Sequence, residues 1–186
     1  MRIISGNFKG KKILEPKDNY TRPLKDLTKE SIFNIISHSN KFKVKIEESV
    51  ILDLFSGVGS FGIECLSRNV DKVYFVENYK NVLPILKKNL SSLKLIDNFE
   101  IIEKDIYNED IFKNFNQIFD IIFLDPPYKD KNIEKTLVKI KTSNILKNNG
   151  VLILHRHKKE KENFSDEIKI IEEKIYGISK IIFFTF

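Results

Sequence analysis

The sequence predicts an α/β fold built on a mostly parallel sheet. From residue 50 onward, short apolar runs alternate with segments whose apolar residues recur at helical spacing. Such alternation is typical of a parallel sheet with helices packed on its faces. The fourth run, FDIIFLD at 119–125, is apolar enough to be a strand buried on both faces. Because ligands of such sheets bind beyond the carboxyl ends of the central strands, we expect functional residues just after each strand.

The chain before residue 50 predicts a small extension made of a hairpin and a helix. Residues 2–14 hold two short apolar runs around a turn from Gly6 to Gly10. In TRPLKDLTKESIFNIIS, Pro23 is acceptable in a first helical turn. The apolar residues predicted to share one side of this helix are Leu24, Leu27, Ile32, Ile35 and Ile36. We divide the chain into an extension of residues 1–45 and a larger domain of residues 46–186, which together form one compact unit.

The remaining elements follow in chain order. Strands are predicted at 50–55, 72–77, 99–105, 119–125 and 150–155. Helices are predicted between them, at 60–68, about 79–93 and 131–146. The last two apolar segments, IKIIEEKIYG and KIIFFTF, predict a closing hairpin.

Composition excludes several classes of protein. With 186 residues, 41% of them hydrophobic and 31% charged, the chain fits one globular domain. One cysteine, Cys65, excludes an internal disulfide framework and a CxxC-type zinc site, and three histidines leave little for a metal cluster, so we expect no metal. No apolar run is long enough to span a membrane, and the amino terminus lacks the apolar core of a signal peptide. We therefore expect a cytoplasmic protein.

The net charge of +6 is unevenly distributed. Residues 1–45 contain 11 Lys and Arg against 4 Asp and Glu, whereas the remaining residues contain 21 against 22. This asymmetry suggests an anionic partner, usually a nucleic acid, although a lysine-rich drift in composition is the alternative. The candidates for contacts with such a partner are Lys9, Lys11, Lys12 and Arg22.

The first strand of the larger domain leads into a glycine-rich loop. Gly57, Gly59 and Gly62 match the pattern GxGxxG, and Glu77 ends the next strand, 20 residues after Gly57. Glycines of this pattern allow close approach of a nucleotide cofactor, and the spaced acid binds ribose hydroxyls. A plain tight turn is the structural alternative.

The acidic residues nearby favour S-adenosylmethionine over a dinucleotide. Asp53 precedes the loop, and Asp125 ends the fourth strand, which in a doubly wound sheet neighbours the first. Two carboxylates at one crevice would repel a pyrophosphate but attract the sulfonium and ammonium of S-adenosylmethionine. Asp105, after the third strand, is placed to meet the adenine edge, although a helix N-cap is nearly as good an explanation. The predicted cofactor-binding residues are Asp53, Phe55, Gly57, Gly59, Glu77 and Asp105.

The fourth strand is followed by Asp125-Pro126-Pro127-Tyr128. The two prolines fix two φ angles and remove two backbone donors, so the carbonyls are left to accept hydrogen bonds. Asp125 and the Asp-Pro carbonyl can accept both N–H bonds of an exocyclic amine, which turns its lone pair toward a methyl group. Tyr128 can stack on the base. We therefore predict that Asp125, Pro126, Pro127 and Tyr128 are catalytic; the alternative is a strand-ending turn that merely contains Pro-Pro.

These motifs resemble a known family. DLFSGVG together with DPPY resembles the class I N-methyltransferases that act on amino groups. MRIISGNFKGKKI, TRPLKDLTKESIFNI and DLFSGVGSFGIECLSR together resemble the bacterial 16S ribosomal RNA guanine-N2 methyltransferases (RsmD type), nearly end to end. The resemblance implies a seven-stranded Rossmann-like fold and S-adenosylmethionine as methyl donor. It also implies that the acceptor is N2 of guanine 966 (usual rRNA numbering) in a small-subunit particle.

The chain departs from this family at two positions, and other functions stay open. Leu24 stands where the family usually has a threonine, and His155 stands where it often has an acidic residue after the fifth strand. HRHKKEK at 155–161 is predicted to be a charged, solvated loop. The rivals are a DNA adenine or other N-methyltransferase with the same motif, an NAD(P)-dependent oxidoreductase and a non-catalytic RNA-binding module. A separate DNA-recognition domain has no room in 186 residues, and we expect a monomer.

Overall fold

The computed structural model describes residues 1–16, 24–95, 97–107, 111–162, 164–165 and 167–186. Within these residues the helices are α1 (Asp26–His38), α2 (Ser60–Ser67), α3 (Leu83–Ser91) and α4 (Ile133–Thr142), with a single 3₁₀ turn at Ile111–Asn114. The strands are β1 (Val50–Leu54), β2 (Lys72–Val76), β3 (Phe99–Ile102), β4 (Phe119–Leu124), β5 (Leu146–His157), β6 (Lys169–Tyr176) and β7 (Ser179–Thr185). No helix in this part of the chain is long and apolar enough to cross a membrane.

The strands form one seven-stranded sheet in the order β3-β2-β1-β4-β5-β7-β6. The first five strands in the chain pair in parallel, and β7 pairs antiparallel with both β5 and β6. The α/β class and the mostly parallel seven-stranded sheet are therefore confirmed. Strand order reverses between β1 and β4, and at such a switch point we expect a ligand to bind beyond the carboxyl ends of the strands.

The core lies on both faces of the sheet. Along β4, Ile121 and Phe123 belong to the cluster that includes residues of α1, α2 and α3, whereas Ile122 and Leu124 belong to the cluster that includes residues of α4. Side chains of a strand alternate between the two faces, so this pattern explains why the β4 sequence is apolar almost throughout. The same alternation assigns the residue after Leu124, Asp125, to the face covered by α1, α2 and α3.

The two arms of the predicted amino-terminal hairpin meet at an antiparallel bridge between Arg2 and Lys12, and the Ile3 N–H donates to the Lys11 carbonyl at 3.0 Å. The Gly10 N–H donates to the Ile3 carbonyl at 2.9 Å, which closes the turn between them. Ile3 and Ile13 are buried in the same hydrophobic cluster as residues of β1 and β4, so the extension shares a core with the larger domain. The functional boundary at residue 45 stays a prediction.

The helix of the extension is shorter than predicted, and the set of its residues that faces the core differs from the predicted set. It begins at Asp26; the predicted start and Arg22 lie outside the described residues. Leu24, Ile32 and Ile36 are buried as expected, and Ile35 is half-buried, but Leu27 is 67% exposed. The prediction for Leu27 was wrong because, at 100° per residue, it lies opposite the face centred on Ile32.

The fifth strand is longer than the apolar run that predicted it. The prediction ended at residue 155, but β5 extends from Leu146 to His157. Its last residues pair with β7, as far as His157 with Ser179. The segment expected to be a solvated loop therefore begins inside the sheet, because a neighbouring strand provides hydrogen-bond partners beyond the apolar residues.

Candidate active site

The glycine loop, Glu77 and Asp125 meet at one edge of the sheet. Leu54, the last residue of β1, is paired with both Val76 of β2 and Leu124 of β4. Glu77 and Asp125 are the next residues along those two neighbouring strands, and the Asp125 N–H donates to the Leu54 carbonyl at 3.3 Å. The structure thus places these predicted site residues on either side of the end of β1.

The loop after β1 requires three left-handed backbone positions. The φ angles are 59° at Phe55, 56° at Gly57 and 84° at Gly59. Phe55 adopts this conformation without being glycine, and such strained residues cluster at ligand sites. At Gly59, which precedes α2, an added Cβ would lie 2.6 Å from Cδ1 of Leu86. A side chain at this position would therefore collide with α3, against which the loop packs.

Asp53 lies behind this loop. It is 1% exposed, and its Oδ2 accepts the Gly62 N–H at 3.0 Å, in the first turn of α2. Burial raises the pKa of the Asp53 carboxyl well above its usual range, and the carboxylates of Asp125 and Glu77 raise it further. The contact shown for Asp53 is structural, and a direct contact with a cofactor stays a prediction.

Glu77 is held beyond the carboxyl end of β2 by three backbone donors. Its Oε2 accepts the Gly57 N–H at 2.7 Å, and its Oε1 accepts the N–H groups of Asn78 and Tyr79 at 2.9 Å each. A carboxylate offers about four acceptor positions, so this one can also accept a hydroxyl donor. Its placement fits the predicted contact with ribose hydroxyls.

The segment after β3 connects the loop of β1 to the loop of β4. Asp105 closes a turn by accepting the Tyr107 N–H at 2.8 Å. The Tyr107 ring lies 5.6 Å from the Phe55 ring, centroid to centroid, and its hydroxyl donates to the Asp130 carboxylate. Burial and Asp130 raise the pKa of Tyr107, so the phenol keeps its proton and this hydrogen bond.

Asp125 is the predicted catalytic residue with the best-defined surroundings. Its carboxylate is 17% exposed, and its Oδ1 lies 2.8 Å from Nδ1 of His155. Pro126 is buried and Pro127 is exposed. The Pro127 carbonyl accepts the Asp130 N–H at 2.9 Å and Nη1 of Arg156 at 3.0 Å. Because the Pro127 carbonyl is used within the protein, the acceptor role predicted for this motif falls to Asp125 and Pro126.

Arg156 holds the loop after β4 in place. It is 2% exposed, and in addition to Pro127 its guanidinium donates to the Asp130 carbonyl at 2.9 Å and to the Glu162 carboxylate at 2.6 Å. Our sequence analysis did not assign a role to this residue. Arg156 could have been found if β5 had been predicted to continue beyond its apolar run. Side chains alternate along a strand, and this alternation directs Arg156 to the α4 side of the sheet.

His155 is the second residue that the sequence analysis missed. It is 6% exposed, with Nε2 lying 2.9 Å from Oγ of Ser179 in β7. The Tyr128 ring meets it edge-on at 6.0 Å between centroids. Because Leu124 pairs with Leu154, the next residues of the two strands, Asp125 and His155, are adjacent. The pairing register of β4 with β5 could have revealed that Asp125 and His155 meet, whereas the composition of either segment could not.

The predicted RNA-binding lysines lie in the amino-terminal segment, far in sequence from the residues of the candidate site. Lys9 and Lys12 are exposed, whereas the Lys11 ammonium donates to the Ser92 carbonyl at the end of α3. A contact of these residues with RNA stays a prediction. Among the described residues, no group of three His, Cys, Asp or Glu side chains could hold a metal ion.

Comparisons with known proteins identify relatives along the whole chain. The family model described as "Conserved hypothetical protein 95" matches residues 1–185. The putative rRNA methyltransferase YlbH of Bacillus subtilis is 30% identical over 188 residues, which cover 97% of this chain and 96% of the relative. Ribosomal RNA small subunit methyltransferase D of Haemophilus influenzae is 34% identical over 183 residues, which cover 96% of this chain and 90% of the relative.

Solved structures agree with these relatives. A putative methylase from Haemophilus influenzae superposes with a TM-score of 0.75 at 32% identity, covering 98% of this chain and 96% of that one. The putative methyltransferase yhhF of Escherichia coli has a TM-score of 0.80 at 24% identity, covering 99% and 96%, which supports the fold. The chain therefore belongs to the family described as "Conserved hypothetical protein 95", the RsmD type of class I methyltransferases.

Proposed function

We propose that this chain transfers a methyl group from S-adenosylmethionine to N2 of one guanine in 16S ribosomal RNA. The observation that carries the proposal is the position of Asp125 beside the end of β1, where the glycine loop and Glu77 also lie. A donor and an acceptor bound at this edge of the sheet would meet at the Asp125 carboxylate. The names of the relatives, which are rRNA methyltransferases, support RNA as the acceptor.

The residues present fit S-adenosylmethionine better than a dinucleotide. When bound, this compound supplies a methyl group activated on a positively charged sulfur. The carboxylates of Asp125 and Glu77 lie close enough to Asp53 to add to the rise of its pKa that burial causes. This negative field favours a cationic ligand and disfavours a pyrophosphate. A putative methyltransferase of the same fold, at 16% identity and a TM-score of 0.62, was solved in complex with SAH.

The loop after β4 would orient the acceptor amine. The Asp125 carboxylate and the Pro126 carbonyl accept its two N–H bonds, so the nitrogen lone pair is directed toward the methyl group. The N–C bond forms as the C–S bond breaks, and the proton lost by the nitrogen leaves to the Asp125 carboxylate or to water. Tyr128 stacks on the base, which must be unpaired or flipped out of any helix to reach the site. Catalysis would come from orientation and from acceptors held in place before the reaction.

The choice of guanine rests on the family resemblance, because adenine also presents an exocyclic amine. The choice of a folded small-subunit particle rests on size, since a chain this small has little surface for reading sequence. The excess positive charge of residues 1–45 is suited to docking on RNA.

Nucleoside mass spectrometry of ribosomal RNA tests this function. A strain that lacks the protein should lose one N2-methylguanosine from its small-subunit RNA. The parent gene should restore the modification, and a gene carrying Asp125→Ala should not. An unchanged RNA profile, or the loss of N6-methyladenine instead, would contradict the proposal.

A binding titration separates the classes of enzyme at lower cost. S-adenosylmethionine, NAD and ATP are titrated against the same preparation of protein by calorimetry. We expect binding of S-adenosylmethionine alone, and saturable binding of NAD would favour an oxidoreductase.

A further inference from the structure

The Asp125 carboxylate has a buried partner on the neighbouring strand. His155 and Asp125 lie on the same face of the sheet, and their side chains approach to 2.8 Å. The other ring nitrogen of His155 is 2.9 Å from the Ser179 hydroxyl. Both nitrogens of a nearly fully buried imidazole are therefore engaged, one of them by the residue to which the reaction is assigned above.

We propose that His155 is a positioning residue that acts through Asp125 in methyl transfer. The Nδ1–H group donates to Oδ1 of Asp125, which fixes the carboxylate and leaves its Oδ2 for the amino group of the acceptor. The inference rests on the proposed function, because it assumes that Asp125 receives that amino group.

The hydrogen bonds around His155 tolerate a change of its charge. In the neutral ring that donates from Nδ1, Nε2 accepts a hydrogen bond from the Ser179 hydroxyl. In the protonated ring both nitrogens donate, and the same hydroxyl turns to accept, because a serine can do either. Neither state leaves a buried polar atom without a partner, so the imidazole can gain or lose a proton without rearrangement of the strands.

The neighbours of His155 determine the pH at which this happens. His155 is faced by Asp125 from the loop after β4, Ser179 of β7 and the edge of the Tyr128 ring, and the charge of Arg156, the next residue along β5, acts on it from the opposite face of the sheet. Burial lowers the pKa of His155, but the Asp125 carboxylate raises it by more, and Arg156 opposes that effect weakly. The net pKa of His155 is above that of an ordinary histidine, so its ring keeps a proton to higher pH than an ordinary imidazole does.

The sign of the expected pH dependence follows from this pairing. A protonated His155 neutralises the negative charge of Asp125, so the carboxylate becomes a weaker acceptor for the amino group. Methyl transfer should therefore slow as the pH falls through the raised pKa of His155. Because the pKa of His155 is raised, the slower, protonated form of the enzyme is present up to a higher pH than it would be if His155 had the pKa of an ordinary histidine.

Two substitutions separate the two ring nitrogens. His155→Asn places an amide nitrogen near the position of Nδ1, so it can donate to Asp125 but cannot titrate. His155→Gln places its amide near Nε2, where it meets Ser179 rather than Asp125. We expect kcat of the Asn variant to stay within about threefold of the parent at alkaline pH and to lose the fall that the parent shows as the pH drops through the raised pKa of His155. We expect the Gln variant to lose kcat about 10- to 100-fold, the equivalent of one hydrogen bond to a charged group, with an unchanged KM for S-adenosylmethionine.

His38→Asn is the matched control, since His38 lies at the exposed end of α1. Its pH profile should match that of the parent. An acid limb that persists in His155→Asn, or a His155→Gln enzyme as active as the parent, would overturn the proposal.

A second measurement decides the inference without any substrate. In ¹⁵N NMR of the parent protein the neutral His155 ring should carry its proton on Nδ1, and Asp125→Asn should lower the pKa of the ring. A ring protonated on Nε2, or a pKa unchanged by Asp125→Asn, would overturn the inference. A parent enzyme that methylates no RNA would instead overturn the proposed function, so the two failures are distinguishable.

Discussion

Replacing Arg156 by methionine should destabilise the protein and loosen the loop that contains Asp125. The guanidinium donates to the carbonyls of Pro127 and Asp130 and to the carboxylate of Glu162. Methionine fills much of the same volume but donates no hydrogen bond. The substitution therefore removes the guanidinium from the Asp130 carbonyl and from the buried Glu162 carboxylate, and it leaves the Pro127 carbonyl with the Asp130 N–H alone.

The size of the effect follows from burial. The side chains of Arg156 and Glu162 are 2% and 6% exposed, so their ion pair is shielded from water. Removing one partner of a buried ion pair costs about 3–5 kcal/mol, because the other charge stays uncompensated. That is a large part of the total of about 5–15 kcal/mol that stabilises a typical domain. Lys147→Met is the matched control: its ion pair with Asp120 is half exposed at the lysine, and such pairs contribute about 0–1 kcal/mol.

Urea denaturation measures the free energy of unfolding of both variants. A third variant tests whether the uncompensated charge of Glu162 causes the loss. Arg156→Met combined with Glu162→Gln removes the orphaned charge, so it should recover about 0.5–3 kcal/mol relative to the sum of the single changes. Methyl transfer by Arg156→Met should fall even under conditions in which the protein is fully folded, because the loop is no longer tied to β5. The reasoning would be refuted if Arg156→Met and Lys147→Met lost equal stability, or if the double variant recovered none.

Three further variants test other parts of the account. Glu77→Ala should weaken S-adenosylmethionine binding by about 1.5–3 kcal/mol, because a hydrogen bond to a charged group is removed, and unchanged affinity in calorimetry would exclude Glu77 from the site. Gly62→Ala should destabilise the fold by about 1–3 kcal/mol in urea denaturation, because its Cβ would lie 2.3 Å from the Phe75 ring; a neutral result would mean that the ring moves freely. In the third variant, alanine replaces Lys9, Lys11 and Lys12. The slope of log RNA affinity against log salt concentration should become shallower by about 0.7–0.9 for each phosphate that the protein no longer neutralises, while the affinity for S-adenosylmethionine is kept. An unchanged slope would exclude these lysines from the RNA interface.

The sequence was sufficient to predict that the candidate site residues meet at one edge of the sheet. Gly57, Glu77 and Asp125 each follow an apolar strand, and parallel strands bring their carboxyl ends together. This inference needs local patterns only, because glycine spacing and strand ends are visible in short windows of sequence. The family resemblance then implied a seven-stranded sheet and S-adenosylmethionine as the methyl donor.

The buried polar residues could not be predicted in the same way. Lys29 lies on the helical face expected to be apolar, with its ammonium 3.6 Å from Glu64 and 2.7 Å from the Arg2 carbonyl. Glu64 in turn accepts the N–H groups of Ile4 and Ser5. These partners are distant in sequence, so only the folded chain shows that they compensate one another's burial.

The same limitation explains the error at the end of β5. HRH has the composition of a solvated loop, and local propensity gave no reason to place it in a sheet. The partners that stabilise it, Ser179 for His155 and Glu162 for Arg156, come from a later strand and a later loop. Pairing with β7 therefore overrides the local sequence signal.

Single-turnover methyl transfer to small-subunit particles by Asp125 variants tests the central claim most directly. The parent, Asp125→Asn and Asp125→Ala are compared under saturating S-adenosylmethionine, whose affinity is measured separately by calorimetry. Asp125→Ala should lose about 10²–10³-fold in rate while it keeps its cofactor affinity, because a preorganised acceptor acts mainly in the transition state. Asp125→Asn should lose less, since its amide oxygen still accepts one N–H. An alanine variant that transfers methyl groups at the parent rate would contradict the account.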